Sequence, residues 1–282
     1  MKKIGFIDFF LSQWHANNYP QWIREANEKL GTDYAVAYAW AEKDVSPYDG
    51  VTTDEWCRTM GVERCATIEE VCRKSDAIVI LSPDDPENHL PYAKAVLPYG
   101  KPTYMDKPFA ATVEDALEME ALIKAHGTPF FTTSALRYAT ELDAVEDCYA
   151  IATMGGGRAV LQYLIHQIEM VVKKLGIGAK TVRMQKLCED QKLFTVRYAD
   201  DRSAVMHFAA GAPFAVTMSQ RGADAVTHSP VTSAIFDELI LDMVRFFETG
   251  RSSFDMAETM EANRIFAACL KAEQTPDQEI AV

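Results

Sequence analysis

The chain has 282 residues, which predicts about two domains at roughly 150 residues per domain. Apolar residues make up 48% and charged residues 24%, a globular composition that excludes a disordered chain. The net charge of −13 disfavours nucleic acid and membrane surfaces as partners. The sequence shows no apolar run of membrane-spanning length, no signal peptide and no Cys-x-x-Cys pair, so we expect a cytoplasmic protein with reduced thiols.

The first half alternates strand and helix signals, which is typical of a parallel sheet with crossover helices. The strand candidates are residues 3–8, 34–40, 76–81, 102–105 and 130–133. The helix candidates are residues 20–31, 67–72, 91–97 and 112–127, the second opening on a Thr67/Glu70 capping box. We therefore predict a Rossmann-like doubly wound α/β domain over residues 1–134, which binds its ligand beyond the carboxyl ends of the strands.

The second half has a different pattern and predicts an α+β domain over residues 135–282. Helices are predicted at residues 140–153, 161–175, 235–249 and 256–272. Four closely spaced strands, 181–187, 194–198, 204–208 and 214–219, predict a mainly antiparallel sheet. One face of such a sheet has to be covered by another surface, so we expect a homo-oligomer formed through it. The residues expected on that face include Val182, Met184, Val205 and Met218.

Five sequence segments, taken in chain order, carry a resemblance to a known protein family in both their motifs and the spacing between them. They are Asp76-Ala-Ile-Val-Ile-Leu-Ser-Pro83 with His89, Tyr104-Met-Asp-Lys-Pro-Phe109, Ser134-Ala-Leu-Arg-Tyr138, residues 161–169 with His166, and residues 236–250. Together they resemble the Gfo/Idh/MocA family of nicotinamide-dependent sugar and polyol oxidoreductases. The resemblance implies NAD or NADP as cofactor, a small sugar-like or polyol-like substrate, and a cis bond between Lys107 and Pro108.

The first turn, residues 8–13, departs from the Gly-x-Gly-x-x-Gly pattern of the family and reads Asp-Phe-Phe-Leu-Ser-Gln. Those glycines let the backbone approach a diphosphate. Asp8 would repel the phosphates and Phe10 would crowd them, so we expect weak cofactor binding through Ser12 and the N-terminal end of the next helix. Trp40 stands where an acidic residue should hold the ribose, and Glu42 follows two positions later.

The resemblance and the strand ends together place a set of residues at the cofactor. They are Asp8, Phe10, Ser12, Trp14, His15, Trp40, Ser82, Pro83, His89 and Asp106. Trp14 and Trp40 either stack on the adenine or pack in the core. The acidic stretch 84–87 disfavours the extra phosphate of NADP, so NAD is slightly preferred. No His, Cys or Asp spacing in the sequence predicts a metal site.

Lys107 and His166 are the candidates for acid–base chemistry on a hydroxyl group. Lys107 follows a strand and can polarise the substrate oxygen; the alternative is an exposed lysine before a turn proline. His166 can accept the proton; the alternative is a hydrogen-bonded core histidine. Gln162, His166 and Glu169 share one helical face, where Gln162 replaces the family's Asp and Glu169 can partly restore its charge. Arg137 joins Lys107 and His166 as a substrate contact implied by the resemblance.

The sequence favours an NAD(P)-dependent oxidoreductase acting on a sugar, polyol or related hydroxy compound. Two alternatives remain: a non-catalytic binding or regulatory relative that lost the phosphate-binding turn, and a relative that binds another ligand in the same cleft. The residues of the first turn favour the alternatives. Lys107 together with His166 favours the enzyme, because a pure binding protein has less need of both.

Overall fold

The computed structural model describes residues 1–223 and 226–282. The chain divides into two compact units. The first unit comprises Met1–Thr132 and Asp237–Phe254, and the second comprises Thr133–Phe236 and Asp255–Val282. Among the described residues, no helix is both long and apolar enough to cross a bilayer.

The first unit contains a six-stranded sheet in which every pairing is parallel. Its strands are β1 (Lys2–Asp8), β2 (Tyr34–Ala41), β3 (Glu63–Arg64), β4 (Ala77–Ile80), β5 (Thr103–Met105) and β6 (Phe130–Thr132). Their spatial order is β3-β2-β1-β4-β5-β6, so the winding reverses between β1 and β4. The carboxyl ends of β1 and β4 therefore flank the crevice where such sheets bind ligands, and the predicted doubly wound fold is confirmed.

Five helices connect these strands. They are α1 (Trp14–Leu30), α2 (Thr53–Met60), α3 (Ile68–Lys74), α4 (His89–Val96) and α5 (Val113–His126). The predicted boundaries of α5 are confirmed: the Thr112 side chain accepts a hydrogen bond from Asp115, and Gly127 ends the helix with a φ of 61°. At α3, Thr67 caps the helix as predicted, but Glu70 binds the N–H of Ala66 rather than that of Thr67.

The second unit contains a seven-stranded sheet that is mainly antiparallel, as predicted. Its strands are β7 (Cys148–Gly155), β8 (Ala179–Lys186), β9 (Gln191–Tyr198), β10 (Ser203–Ala209), β11 (Ala215–Gln220), β12 (Val226–Pro230) and β13 (Glu279–Ala281). Only β7 and β10 pair in parallel within the described sheet. The helices of the second half are α6 (Val160–Leu175), α7 (Ile235–Thr249) and α8 (Met256–Gln274).

The helix predicted over residues 140–153 is wrong. A short 3-10 turn covers Thr140–Ala144, and β7 follows it. From Ile151 to Gly155 burial alternates with a period of two, which is the pattern of a strand. The apolar content of this stretch suits either element, and pairing with β10 and β11 on its two sides decides for the strand.

Three residues expected on the free face of the second sheet lie on its other face instead. Val182, Met184 and Met218 are fully buried in the core cluster that also contains residues of α6 and α8. Val205 alone of the four expected residues is substantially exposed, at 37%. The register explains the difference, because Val182 and Met184 stand opposite the buried Val196 and Phe194 on β9.

The division into units differs from the expected domains 1–134 and 135–282, because residues 237–254 group with the first unit. Aromatic packing explains why residues 237–254 belong to the first unit. The ring of Phe131 on β6 lies 4.7 Å from that of Phe246 on α7, and Tyr34 lies 5.7 Å from Phe247. A nucleotide role for the first unit and a substrate or oligomerisation role for the second stay predictions.

Within the second unit, the Glu141 carboxylate joins the 3-10 turn to the segment before α7. It accepts hydrogen bonds from the backbone N–H groups of Thr232 and Ser233 at 2.7 and 2.9 Å, and from the Ser233 hydroxyl at 2.7 Å. Burial acts to raise the pKa of Glu141, but these hydrogen bonds outweigh it and lower the pKa to about 2.

The substitution Glu141→Gln is expected to lower the free energy of unfolding by about 1–2 kcal/mol at neutral pH, because ionic hydrogen bonds are replaced by neutral ones. A lowered folded-state pKa stabilises above the unfolded pKa, near 4.5, and this stabilisation disappears as the pH falls toward 2. In urea titrations, the difference in free energy of unfolding between the native chain and the variant should therefore be smaller at pH 3 than at pH 7. Glu146→Gln, at an exposed position, is the control, and an equal deficit at both pH values would contradict the assignment.

Candidate functional site

The Asp8 side chain lies at the carboxyl end of β1 and is only 1% exposed. One carboxylate oxygen, Oδ1, accepts hydrogen bonds from the backbone N–H groups of Phe9 at 2.8 Å and Ser82 at 2.9 Å. The other oxygen accepts one from the Gln13 amide at 2.9 Å. Burial, with a smaller contribution from the nearby charge of Asp106, raises the pKa of Asp8 to about 7 despite these three bonds.

Gln13 caps the first turn of α1. Its side-chain oxygen accepts the N–H of His15 at 2.7 Å, while its amide nitrogen binds Asp8. The backbone donors of Phe9, Ser82 and His15 are thus all bound by side chains of the 8–13 turn. A diphosphate at a glycine-rich turn uses donors of this kind. With Asp8 ionised, the 8–13 turn therefore does not fit a diphosphate.

A segment after β2 covers the 8–13 turn. The Ser12 hydroxyl donates to Asp49 at 2.7 Å, and the Ser46 hydroxyl donates to the Ser12 carbonyl at 2.7 Å. The buried ring of Phe10 packs edge-on against Tyr48, with centroids 5.2 Å apart. Ser12 and Phe10, both predicted at the cofactor, thus contact neighbouring side chains of the same unit.

The two predicted tryptophans have different environments. Trp14 begins α1, is 51% exposed and packs edge-on against Trp22. Trp40 is half-buried and packs edge-on against Tyr92, whose hydroxyl donates to Glu42 at 2.9 Å. Glu42, the acidic residue directly after β2, is thus bound to a tyrosine.

The carboxyl end of β4 is shaped by Ser82, Pro83 and His89. Ser82 adopts a φ of 68°, which is rare for a residue with a side chain, and its hydroxyl donates to the Asp85 carbonyl. Pro83 is buried beside it. His89 is fully buried, with its ring nitrogens 2.9 Å from the Leu81 carbonyl and 3.2 Å from the Phe109 carbonyl. His89 thus links the end of β4 to the segment after Lys107 and positions that segment.

Asp106 and Lys107 follow β5 and are both buried. The peptide bond between Lys107 and Pro108 is cis, as the resemblance implied. Asp106 lies 3.4 Å from the Nδ1 atom of His15, and burial lowers the pKa of His15 more than this carboxylate raises it. The Asp106 carboxylate also accepts the backbone N–H of Lys107 at 2.9 Å.

The Lys107 ammonium has no hydrogen-bond or ion-pair partner among residues 1–223 and 226–282, although the residue is only 6% exposed. Lysine is almost never buried without a partner, because removing its charge from water is costly. The Nζ atom itself stays in contact with solvent, so the largely buried side chain presents its ammonium at the carboxyl end of a parallel strand, where a ligand oxygen can bind it.

In the second unit, His166 lies on α6 with its Nδ1 atom 2.6 Å from the Ser134 hydroxyl. That hydroxyl also accepts the backbone N–H of Leu136. The imidazole is partly exposed and lies between the rings of Tyr163 and Phe214. A serine hydroxyl both donates and accepts, so Ser134 can hold Nδ1 in either tautomer.

Glu169 and Arg137 bind each other rather than His166. Arg137 donates to Glu169 at 3.3 Å and also pairs with Glu258 on α8, and Thr133 donates to Glu169 at 3.1 Å. Burial acts to lower the pKa of Arg137, but the two carboxylates outweigh it and raise it. Glu169 thus serves the Arg137 ion pair, and the expectation that it supplies charge to His166 has no support in these contacts.

Sequence reasoning missed Gln167, the fully buried neighbour of His166. Its side-chain oxygen accepts the Thr153 hydroxyl at 2.6 Å, and its amide donates to the Gly155 carbonyl at 2.8 Å. These bonds join α6 to β7 and so position His166. Gln162, which stands where the family has Asp, is partly exposed on the same helix. A glutamine within an apolar helix is the signal that could have revealed Gln167.

Residues 45–134 match the family named GFO_IDH_MocA, described as an oxidoreductase family with an NAD-binding Rossmann fold. The resemblance to the Gfo/Idh/MocA family is confirmed. A sequence relative is the uncharacterized oxidoreductase YdgJ of Escherichia coli (strain K12), 48% identical over 52 residues. That match covers 18% of this chain and 14% of the relative, so the chain is aligned to only a small part of the relative's length.

Solved structures of dehydrogenases share the fold over nearly the whole chain. A probable dehydrogenase from Thermotoga maritima superposes with a TM-score of 0.79 at 12% identity, covering 99% of this chain and 98% of that one. The scyllo-inositol dehydrogenase of Lactobacillus casei with bound NAD(H) and scyllo-inositol gives 0.76 at 14% identity, covering 99% of each chain. At such low identity these likenesses establish the fold alone.

Combining Asp8→Gly with Phe10→Gly is expected to tighten NADH binding about tenfold near neutral pH, because the double change removes a buried acid and a ring from the 8–13 turn. Fluorescence titration of NADH measures the effect. Asp277→Gly is the matched control, since Asp277 is exposed and its φ of 65° suits glycine. Failure of both the native chain and the double variant to bind at millimolar NADH would contradict a dinucleotide site.

Proposed function

We propose that this protein is a nicotinamide-dependent oxidoreductase that acts on a hydroxyl group of a sugar, polyol or related compound. The observation that carries the proposal is the largely buried Lys107 side chain, whose ammonium reaches solvent and lacks a partner among the described residues. The match to an NAD-binding oxidoreductase family supports the reaction class. A scyllo-inositol-bound dehydrogenase with the same fold supports a polyhydroxy substrate.

When bound, the nicotinamide supplies the acceptor or donor of a hydride. Lys107 hydrogen-bonds the substrate oxygen and stabilises negative charge that develops on it. The His166 imidazole exchanges the hydroxyl proton, and the Ser134 hydroxyl orients the ring through Nδ1. NAD is preferred to NADP because Asp84, Asp85 and Glu87 follow the end of β4 and would repel an additional phosphate.

The substitution His166→Ala is expected to lower kcat by about 10²–10⁴ and to leave NADH binding nearly unchanged, because it removes the proton acceptor alone. Lys107→Ala should lower kcat and also raise KM, because the ammonium contacts the substrate. Nicotinamide absorbance during turnover of a panel of polyols and sugars measures both. His126→Ala and Lys124→Ala, at exposed positions, are the matched controls. A native chain that binds NADH but turns over no substrate would favour the regulatory alternative.

A second copy of this chain is the partner proposed for the free face of the second sheet. The register places Ala152, Met154 and Val205 on the face opposite the core, and Met154 and Val205 are 38% and 37% exposed. Strands β8 and β9, which follow β10 in the sheet, add the exposed Arg183 and Arg197. An apolar centre with a polar rim is typical of a protein–protein interface.

The substitution Val205→Glu is expected to convert an oligomer into a monomer at micromolar concentration, because it places a charge in the apolar centre of the face. Light scattering measures the mass. Leu117→Glu, on the exposed side of α5, is the control and should leave the mass unchanged. A native chain that is already monomeric at that concentration would contradict the proposed association.

A further inference from the structure

The 8–13 turn contains an anion of its own. The Asp8 carboxylate is bound by two backbone N–H groups and one side-chain amide, which is how a glycine-rich turn would surround a phosphate oxygen. This carboxylate comes from the position of the first glycine in the family pattern. The chain thus supplies internally the negative charge that the turn would otherwise take from a ligand.

An ionised Asp8 and a diphosphate compete for the same donors and repel each other in a buried environment. Protonation removes the charge repulsion and frees one of the three donors, while Oδ1 keeps the N–H groups of Phe9 and Ser82. A proton on Oδ2 turns that oxygen from an acceptor into a donor and ends its bond with the Gln13 amide. The released Gln13 side chain can then uncap His15, whose N–H becomes available at the N-terminal end of α1.

We propose that Asp8 makes dinucleotide binding proton-coupled, so that the turn accepts a diphosphate when the Asp8 carboxyl is protonated and rejects it when ionised. The inference rests on the proposed function, since it presumes a dinucleotide ligand. At alkaline pH each dinucleotide that binds is accompanied by one proton taken from solvent, which forms the O–H bond of the Asp8 carboxyl, and no other covalent bond forms or breaks.

Several ionisable groups surround Asp8 or its immediate neighbours. They are Asp106 after β5, Lys107 next to it, His15 on α1, Tyr92 on α4, Asp85 before α4 and Glu42 after β2. Burial lowers the pKa of His15 and raises that of Tyr92, so both favour their neutral forms around neutral pH. Asp106 repels an ionised Asp8 and so favours the protonated form.

The size of the effect follows from the pKa of about 7 for Asp8. If only the protonated form binds, the Kd of NADH should rise about 30-fold between about pH 6 and about pH 8.5. The proton uptake on binding should rise over the same range from about 0.1 to about one per NADH. NADH is the suitable probe, because its diphosphate keeps its charge throughout this range.

The test titrates NADH into the native chain and into Asp8→Asn across this pH range, with fluorescence for Kd and calorimetry in two buffers for proton uptake. Asp8→Asn has the size of the protonated acid and cannot ionise, so it should bind at every pH as tightly as the native chain does near pH 6. Glu28→Gln, exposed on α1, is the control and should keep the native pH profile.

A native Kd that does not vary with pH, or an Asp8→Asn variant that keeps the native pH dependence, would overturn the role of Asp8 and leave the proposed oxidoreductase intact. Absence of NADH binding to both proteins near pH 6 would overturn the role of Asp8 and the proposed function together. Circular dichroism of Asp8→Asn shows that it is folded. If the variant is unfolded, the native chain alone still tests the proposal. An NADH Kd that stays constant with pH and an absence of proton uptake on binding would then contradict it.

Discussion

The buried carboxylate of Asp8 joins three segments of the first unit. It binds the N–H group that follows β1, the N–H group that follows β4 and the side chain that caps α1. Those segments border the point where the winding of the sheet reverses, which is where doubly wound sheets bind ligands. The geometry of the crevice in this unit therefore depends on one acid whose burial is only partly offset by its hydrogen bonds.

The chemistry of the 8–13 turn follows from this arrangement. A glycine-rich turn leaves its backbone donors to the ligand, whereas Asp8 and Gln13 bind those donors with side chains of the chain itself. The Rossmann topology is unaffected, because the sheet order depends on strand pairing and apolar packing and not on the glycines. The fold and the anion-binding property of the turn are thus physically separable in this protein.

The second unit also uses buried polar side chains to position its candidate acid–base group. Gln167 joins α6 to β7, and the Arg137 pairs with Glu169 and Glu258 join α6 to α8. His166 lies on the same helix and meets the Ser134 hydroxyl. Removing one partner in either set leaves a buried polar group unpaired on the helix that carries His166.

By itself the sequence determined the alternation of strands and helices in the first half, the strand-end position of Lys107 and the mainly antiparallel second sheet, because these follow from local periodicity, capping and chain order. Tertiary structure alone decided that residues 148–155 form a strand, since pairing on both sides outweighed an ambiguous local pattern. Tertiary structure alone also assigned residues 237–254 to the first unit, because Phe246 packs against Phe131, which lies far away in the sequence. It also decided that Glu169 serves Arg137, because helical spacing shows which residues share a face but not which charge from elsewhere in the chain meets them.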